Sequence, residues 1–175
     1  MNPLRPTLVF LSLCLPFALS ACDTSDRESD EEITVFIGAE QEERMCSTIA
    51  STATSTVSLK TAGSAIDQCG AMGPTGGLNE VTLADFEGEN GGYLEVLLSA
   101  DGLAPVYLMI KEEVDAEVLD GNGEPVSTPD VDHEIDPCPD ASGKFVWIPE
   151  TASSFVRFGP TGLTKIHVLA EIVEE

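Results

Sequence analysis

Oxygen-bearing side chains are densest in residues 120–140, a segment with many carboxylates and no Lys or Arg. Asp120, Asn122 and Glu124 alternate there as the ligands of calcium-binding loops do. Calcium takes roughly six to eight oxygen ligands, and further acidic residues follow in the same segment. The alternative is a plain hairpin and an acidic loop, because Pro125 stands where an EF-hand requires glycine. Calcium is therefore the one candidate cofactor, with the candidate ligands Asp120, Asn122, Glu124, Asp132 and Asp136.

The sequence contains no recognisable catalytic motif. Its two histidines are His133, in the acidic segment, and His167, in a strand-like run, and both are expected at the surface. No Gly-x-Ser-x-Gly, His-Glu-x-x-His or Gly-x-Gly-x-x-Gly pattern occurs. A pair of carboxylates could serve an envelope hydrolase, but a chain this acidic contains many chance pairs. A non-enzymatic protein is therefore predicted.

An apolar run at residues 8–15 follows Arg5 and leads to the sequence Leu19-Ser20-Ala21-Cys22. The run has the length of a signal-peptide core and is too short to span a bilayer. The four residues resemble the lipobox of bacterial lipoproteins, Leu-(Ala/Ser)-(Gly/Ala)-Cys, at every position. The resemblance implies a diacylglyceryl group on the Cys22 thiol, cleavage before Cys22, and acylation of the new amino terminus. The alternative is an ordinary secretory signal with a chance cysteine.

Residues 23–32 contain no apolar side chain, so they are predicted to be a flexible acidic tether rather than part of a core. With the anchor at Cys22, they place the chain in the bacterial cell envelope, on the inner or outer membrane, facing the periplasm or the cell surface. The whole sequence has 8 basic and 31 acidic side chains, a net charge of −23. Because nucleic-acid binding needs Lys and Arg to neutralise phosphates, this charge excludes that class of partner. An envelope protein or a polysaccharide is the expected partner.

Three cysteines remain beyond Cys22, and an oxidising compartment preserves disulfides. Cys46, Cys69 and Cys138 allow one bridge and three possible pairings. The sequence prediction is a Cys46–Cys69 bridge, because this pair closes the shortest loop.

Strand signals dominate residues 33–175. Short alternating or β-branched and aromatic runs recur between clusters of Gly, Pro, Asn and Asp, which is typical of a sandwich or barrel. The runs are 33–37, 56–60, 80–86, 93–98, 106–110, 116–119, 144–148, 154–158 and 165–173. Residues 40–50 are the one helix candidate, and residues 70–92 are expected to be a long connection with at most one edge strand.

Alternation assigns the core faces, because successive side chains of a strand point to opposite faces. Trp147, or its neighbours Phe145 and Val146, should join the core. The positions expected to face the core are Leu94, Val96, Leu98, Val106, Leu108, Ile110, Ile166, Val168, Ala170 and Ile172.

Two turn motifs carry a second resemblance. Asp120-Gly-Asn-Gly-Glu-Pro-Val126 and Asp140-Ala-Ser-Gly-Lys-Phe145 are similar to the turns of bacterial immunoglobulin-like modules of the invasin and intimin type. This resemblance covers residues 114–170 and implies a Greek-key β-sandwich without an active site. The prediction is a signal peptide at 1–21, a lipidated cysteine and tether at 22–32, and one immunoglobulin-like β-sandwich at 33–175. A non-catalytic binding or structural role is favoured over a calcium- or copper-handling protein and over a hydrolase.

Overall fold

The computed structural model describes residues 33–51, 57–86, 88–98, 104–134 and 138–174. The predicted signal peptide, Cys22 and the tether lie outside the described residues. The elements are β1 (Thr34–Ile37), α1 (Ala39–Ala50), β2 (Ser58–Thr61), β3 (Gly70–Met72), β4 (Asn79–Thr82), β5 (Ala84–Phe86), β6 (Glu89–Leu97), β7 (Val106–Ile110), β8 (Ala116–Leu119), β9 (Asp130–His133), β10 (Gly143–Trp147), β11 (Ser153–Thr161) and β12 (Lys165–Ile172).

The described strands form two larger sheets and one two-stranded ribbon. Sheet 1 has the order β10-β7-β12-β4-β2, and sheet 2 has the order β3-β6-β11-β8, with β5 paired to β6. The ribbon is the parallel pair β1–β9. Most neighbours are antiparallel, while β2–β4 and β3–β6 are parallel. The prediction of an all-β sandwich is confirmed, and its immunoglobulin-like type stays a prediction.

The sandwich core lies between the two sheets. Val106, Leu108 and Ile110 of β7 are completely buried in it, as the alternation along this strand predicts. The positions predicted on β6 and β12 belong to the same cluster, with Ile172 partly buried at its margin. Trp147 also points into this core, and its indole nitrogen donates to Ser154 Oγ at 3.1 Å. The strands predicted from sequence therefore present the predicted faces.

Sheet 1 is covered on its outer face as well. Every residue of β7 is buried, so Tyr107 and Met109 need a second packing layer on the side away from sheet 2. That layer consists of α1 and β1, whose Met45, Ile49 and Ile37 pack on this outer face. A strand buried on both faces reads as a continuous apolar run, which is how β7 reads.

Helix α1 begins at Ala39, close to the predicted start at residue 40. The Glu134 carboxylate accepts a 2.7 Å hydrogen bond from the Ala39 amide. An anion is favourable at this end, because the first amides of a helix have no intrahelical acceptor. Glu134, which directly follows β9, thus fixes the start of α1, which follows β1. No helix of the described residues is long and apolar enough to cross a membrane.

Two predictions about connections are wrong. Residues 70–92 contain β3, β4, β5 and the start of β6, rather than a long connection with one edge strand. Residues 130–133 form β9, which pairs with β1 in the register Thr34–Asp130 to Ile37–His133. Both errors concern strands that pair with a partner distant in sequence or that carry polar side chains, so the local pattern is weak.

Candidate functional site

The candidate calcium loop is a self-contained turn after β8. Asp120 Oδ1 accepts hydrogen bonds from the backbone amides of Asn122 and Glu124, each at 2.8 Å. Its other oxygen accepts from the Asn122 side chain at 3.0 Å. These bonds, first the one from the Glu124 amide, lower the pKa of Asp120. The carboxylate therefore closes the turn, with Gly123 at a φ of +86°.

The structure describes four of the five candidate ligands, and these four lie in two separate parts of the fold. Asp132 lies on β9 in the ribbon, whereas the Asp120 turn extends from β8 in sheet 2. Asp136 lies outside the described residues. No group of three or more His, Cys, Asp or Glu side chains within the described ranges could hold a metal ion. The calcium hypothesis therefore gains no support from the placement of Asp120, Asn122 and Glu124.

His167 lies in a polar group on the outside of β12. Its Nδ1 is 2.7 Å from Glu112 Oε1, and its backbone amide donates to Glu112 Oε2 at 2.6 Å. Beside it, Lys165 forms an ion pair with Glu80, which lowers the pKa of Glu80. Each of these side chains is at least partly exposed, so the group lies at the protein surface, as predicted for His167.

A second polar group lies between α1 and sheet 1, where Glu42, Tyr107 and Cys138 are buried and Cys46 and His133 are partly buried. We call it the Glu42 cluster, and its members are Glu42, Cys46, Tyr107, His133 and Cys138. Glu42 Oε1 accepts from the Tyr107 hydroxyl at 3.0 Å and from the Cys138 amide at 3.2 Å. Glu42 Oε2 is 3.2 Å from His133 Nδ1. A carboxylate accepts only, so this contact assigns the proton to Nδ1.

The fold delivers these side chains from four separate segments. Glu42 and Cys46 are four residues apart in α1, so they share the face that packs on sheet 1. Tyr107 points outward from the middle of sheet 1, and His133 ends β9. The Tyr107 and His133 rings lie 5.9 Å apart. The cluster thus joins the helix, the ribbon and sheet 1 at one point.

Burial controls the chemistry of the cluster. Glu42 is completely buried, and a buried carboxylate is tolerated only where hydrogen-bond donors replace water. Burial and the adjacent Glu42 charge raise the pKa of Tyr107, so the phenol remains a neutral donor. Burial, the neighbouring Cys138 thiol and the Glu42 charge raise the pKa of Cys46 to about 12. The phenol and the Cys46 thiol are therefore neutral at physiological pH, unlike an activated nucleophile.

The predicted Cys46–Cys69 bridge is not formed in the structure, where all three cysteines are free thiols. Cys46 packs instead against the apolar cluster that contains Cys138. Cys69 donates to the Ile66 carbonyl at 3.1 Å within its own turn before β3. The shortest loop in sequence and the packing of α1 thus favour different partners for Cys46, and the Cys46–Cys69 bridge stays a prediction.

A further polar contact fixes the carboxy-terminal strand to the helix. Arg44 Nη2 lies 2.8 Å from Glu171 Oε2 and 2.8 Å from Glu174 Oε1. Gln41 donates to the Ile172 carbonyl at 2.7 Å. The residues around Arg44 line an open groove of about 290 Å³. Because Arg44 is nearly half exposed, its ion pairs stabilise the fold only weakly and chiefly orient α1.

Sequence reasoning missed the Glu42 cluster. His133 was expected at the surface, and Gln41 and Glu42 are polar residues that give no sign in the sequence of being buried. The one available signal was Tyr107, whose hydroxyl needs a partner in a run that is otherwise apolar. Every buried side-chain nitrogen and oxygen in the described part of the chain has a hydrogen-bond partner.

Comparisons with known proteins do not assign a family to this chain. It matches no protein-family model, and no curated protein is significantly similar to it in sequence.

Proposed function

We propose that this chain is a bacterial lipoprotein whose β-sandwich is a non-catalytic binding or structural module of the cell envelope. The lipid on Cys22 holds the module at a membrane surface. The observation that carries the proposal is the sequence Leu19-Ser20-Ala21-Cys22 after an apolar run of signal-peptide length. A two- or three-chain anchor binds firmly, since each buried methylene contributes about 0.8 kcal/mol.

The position of the first strand supports this arrangement. β1 begins at Thr34, directly after the acidic segment 23–32. β1 is paired along its whole length with β9, so the chain is already part of the folded module at Thr34. Such a spacer lets a folded module stand away from the lipid surface.

The chemistry of the buried groups supports a non-catalytic role. General bases and nucleophiles need pKa values tuned toward the working pH. In the Glu42 cluster the pKa shifts of Tyr107 and Cys46 run the other way, toward permanently protonated groups. Glu42 is enclosed by its own donors and has no exposed surface from which to reach a substrate. The cluster therefore serves to hold α1 in place.

The net charge limits the classes of partner that this chain can bind. At −23, the chain repels anionic lipid headgroups and nucleic acid and attracts cationic surfaces. The partner that fits is an envelope protein with a basic surface, or a polysaccharide recognised by hydrogen bonds.

Metabolic labelling tests the anchor. Cells that express the full chain are grown with labelled palmitate, and the protein is then isolated. The wild-type chain should carry label, and Cys22→Ser should abolish it, because the thioether-forming sulfur is gone. Cys14→Ser is the matched control, since Cys14 lies in the apolar run and should leave labelling unchanged. Label that survives Cys22→Ser would refute the proposal.

A further inference from the structure

Two cysteine side chains meet in the layer between α1 and sheet 1. The Cys138 amide donates to Glu42 at 3.2 Å, and Cys46 lies one helical turn after Glu42 on the same face. Cys138 is 1% exposed and Cys46 packs against the same apolar cluster. Both side chains therefore lie in the same apolar cluster beside Glu42, and the neighbouring Cys138 thiol contributes to the raised pKa of Cys46. Two cysteines that are 92 positions apart in the chain thus pack in one buried cluster.

We propose that Cys46 and Cys138 form a disulfide that fastens α1 to the chain leading into β10. The two S–H bonds break and one S–S bond forms. The oxidant is a disulfide, R–S–S–R, of another molecule in the compartment to which the protein is exported. It accepts the two electrons and two protons and leaves as two R–SH molecules, after passing through a mixed disulfide with one of the cysteines. The oxidising compartment rests on the proposed function, because disulfides persist outside the cytosol.

Cys69 is excluded as a partner by its surroundings. Its thiol donates to the Ile66 carbonyl, and it lies near Glu95 of sheet 2. Cys46 belongs instead to the apolar cluster on the outer face of sheet 1. A bridge between Cys46 and Cys69 would have to reach from one side of sheet 1 to sheet 2. Disulfides require Cα atoms within about 7 Å, so this pairing would distort the sandwich.

The pair has the properties of a structural disulfide rather than a reactive one. A low thiol pKa stabilises the reduced form and makes a disulfide easily reduced. Here burial and the Glu42 carboxylate raise the pKa of Cys46, so the reduced thiolate gains no such stabilisation. The bridge should resist reduction and keep α1 over the buried Glu42 carboxylate.

Peptide mapping of the full-length protein tests the pairing. The protein is purified in detergent, reduced, equilibrated with oxidised glutathione, alkylated with N-ethylmaleimide and digested without reductant. We expect one cross-linked peptide pair that contains Cys46 and Cys138, with Cys69 alkylated. Cys69→Ser is the matched control and should retain the bridge, while Cys46→Ser should lose it and leave Cys138 alkylated.

The outcomes separate this inference from the proposed function. A bridge to Cys69, or only mixed disulfides with glutathione, would overturn the pairing whatever the palmitate result. A Cys46–Cys138 bridge in a protein that takes no palmitate would support the pairing and refute the anchor. Alkylation of intact cells before lysis supplies the last test. If palmitate-labelled protein from these cells carries alkyl groups on both Cys46 and Cys138, the bridge does not form in the cell and the proposal fails.

Discussion

The two faces of sheet 1 are built from the same strands but by different rules. On the inner face, Val106, Leu108 and Ile110 of β7 meet the apolar residues of sheet 2. On the outer face, Met109 packs beside Tyr107, which donates to the buried Glu42 carboxylate. The inner layer thus depends on apolar area, and the outer layer combines apolar area with a hydrogen-bonded charge.

The difference teaches how each layer acquires its specificity. Apolar contacts are non-directional, so the inner core is held by volume and patterning. A buried carboxylate is directional, because each missing donor leaves an unsatisfied charge. The hydrogen bonds to Glu42 therefore fix the position of α1 on the sheet more narrowly than the apolar contacts of Met45 and Ile49 would alone.

The largest expected effect is in the inner layer. Phe158 is completely buried between the sheets, whereas Phe36 on β1 is 54% exposed. Phe158→Ala should lower the free energy of unfolding by about 3–5 kcal/mol, from lost burial and the cavity left behind. Phe36→Ala also removes a phenyl ring, but it should lower the free energy of unfolding by well under half as much. Urea unfolding measures both, and equal losses would show that the inner core is not the principal source of stability.

The next effect is in the outer layer. Tyr107→Phe keeps the ring and removes the hydroxyl that donates to Glu42, so it should cost about 2 kcal/mol of unfolding free energy. Tyr93→Phe is the control, because the Tyr93 ring packs edge-on against Phe86 and is only partly buried. Urea unfolding of the two variants compares them directly. If both variants lose the same amount, the Glu42 cluster does not hold the helix as described.

The smallest effect lies outside both layers, in the Asp120 turn. Hydrogen bonds lower the pKa of Asp120 in the folded state, so its contribution to stability is present above the ordinary carboxyl pKa of about 4. That contribution is lost as the pH falls through the lowered folded-state pKa. Asp120→Ala should therefore lower the melting temperature at pH 7 and have less effect at the acidic end. Asp85→Ala removes an exposed carboxylate on β5 and should leave the melting temperature at pH 7 almost unchanged, and equal losses for the two variants would contradict the turn assignment.

The inner layer could be predicted from sequence because its pattern is local. Alternation along β6, β7 and β12 assigns their core faces without knowledge of the partner strands. The all-β class follows from the same signal. Predicted bounds for β7 and β8 agree with the structure at both ends.

The outer layer could not be predicted because it depends on long-range pairing. β9 has polar side chains at Asp130 and Asp132 and is identified as a strand only by its parallel partner β1. Glu42 reads as a surface residue of a poorly amphipathic helix until Tyr107, His133 and Cys138 are placed around it. Loop length favours Cys46–Cys69, whereas α1 places Cys46 in the apolar cluster that contains Cys138.

Mass spectrometry of the mature protein tests the central claim, that the sandwich is a lipid-anchored module. Protein isolated from membranes is measured intact, and its amino-terminal peptide is then sequenced after removal of lipid. The proposed anchor predicts that the mature chain begins at Cys22 and carries a diacylglyceryl group on that sulfur, with or without an acyl group on the amine. A chain that retains residues 1–21, or one that begins elsewhere with an unmodified Cys22, would contradict it.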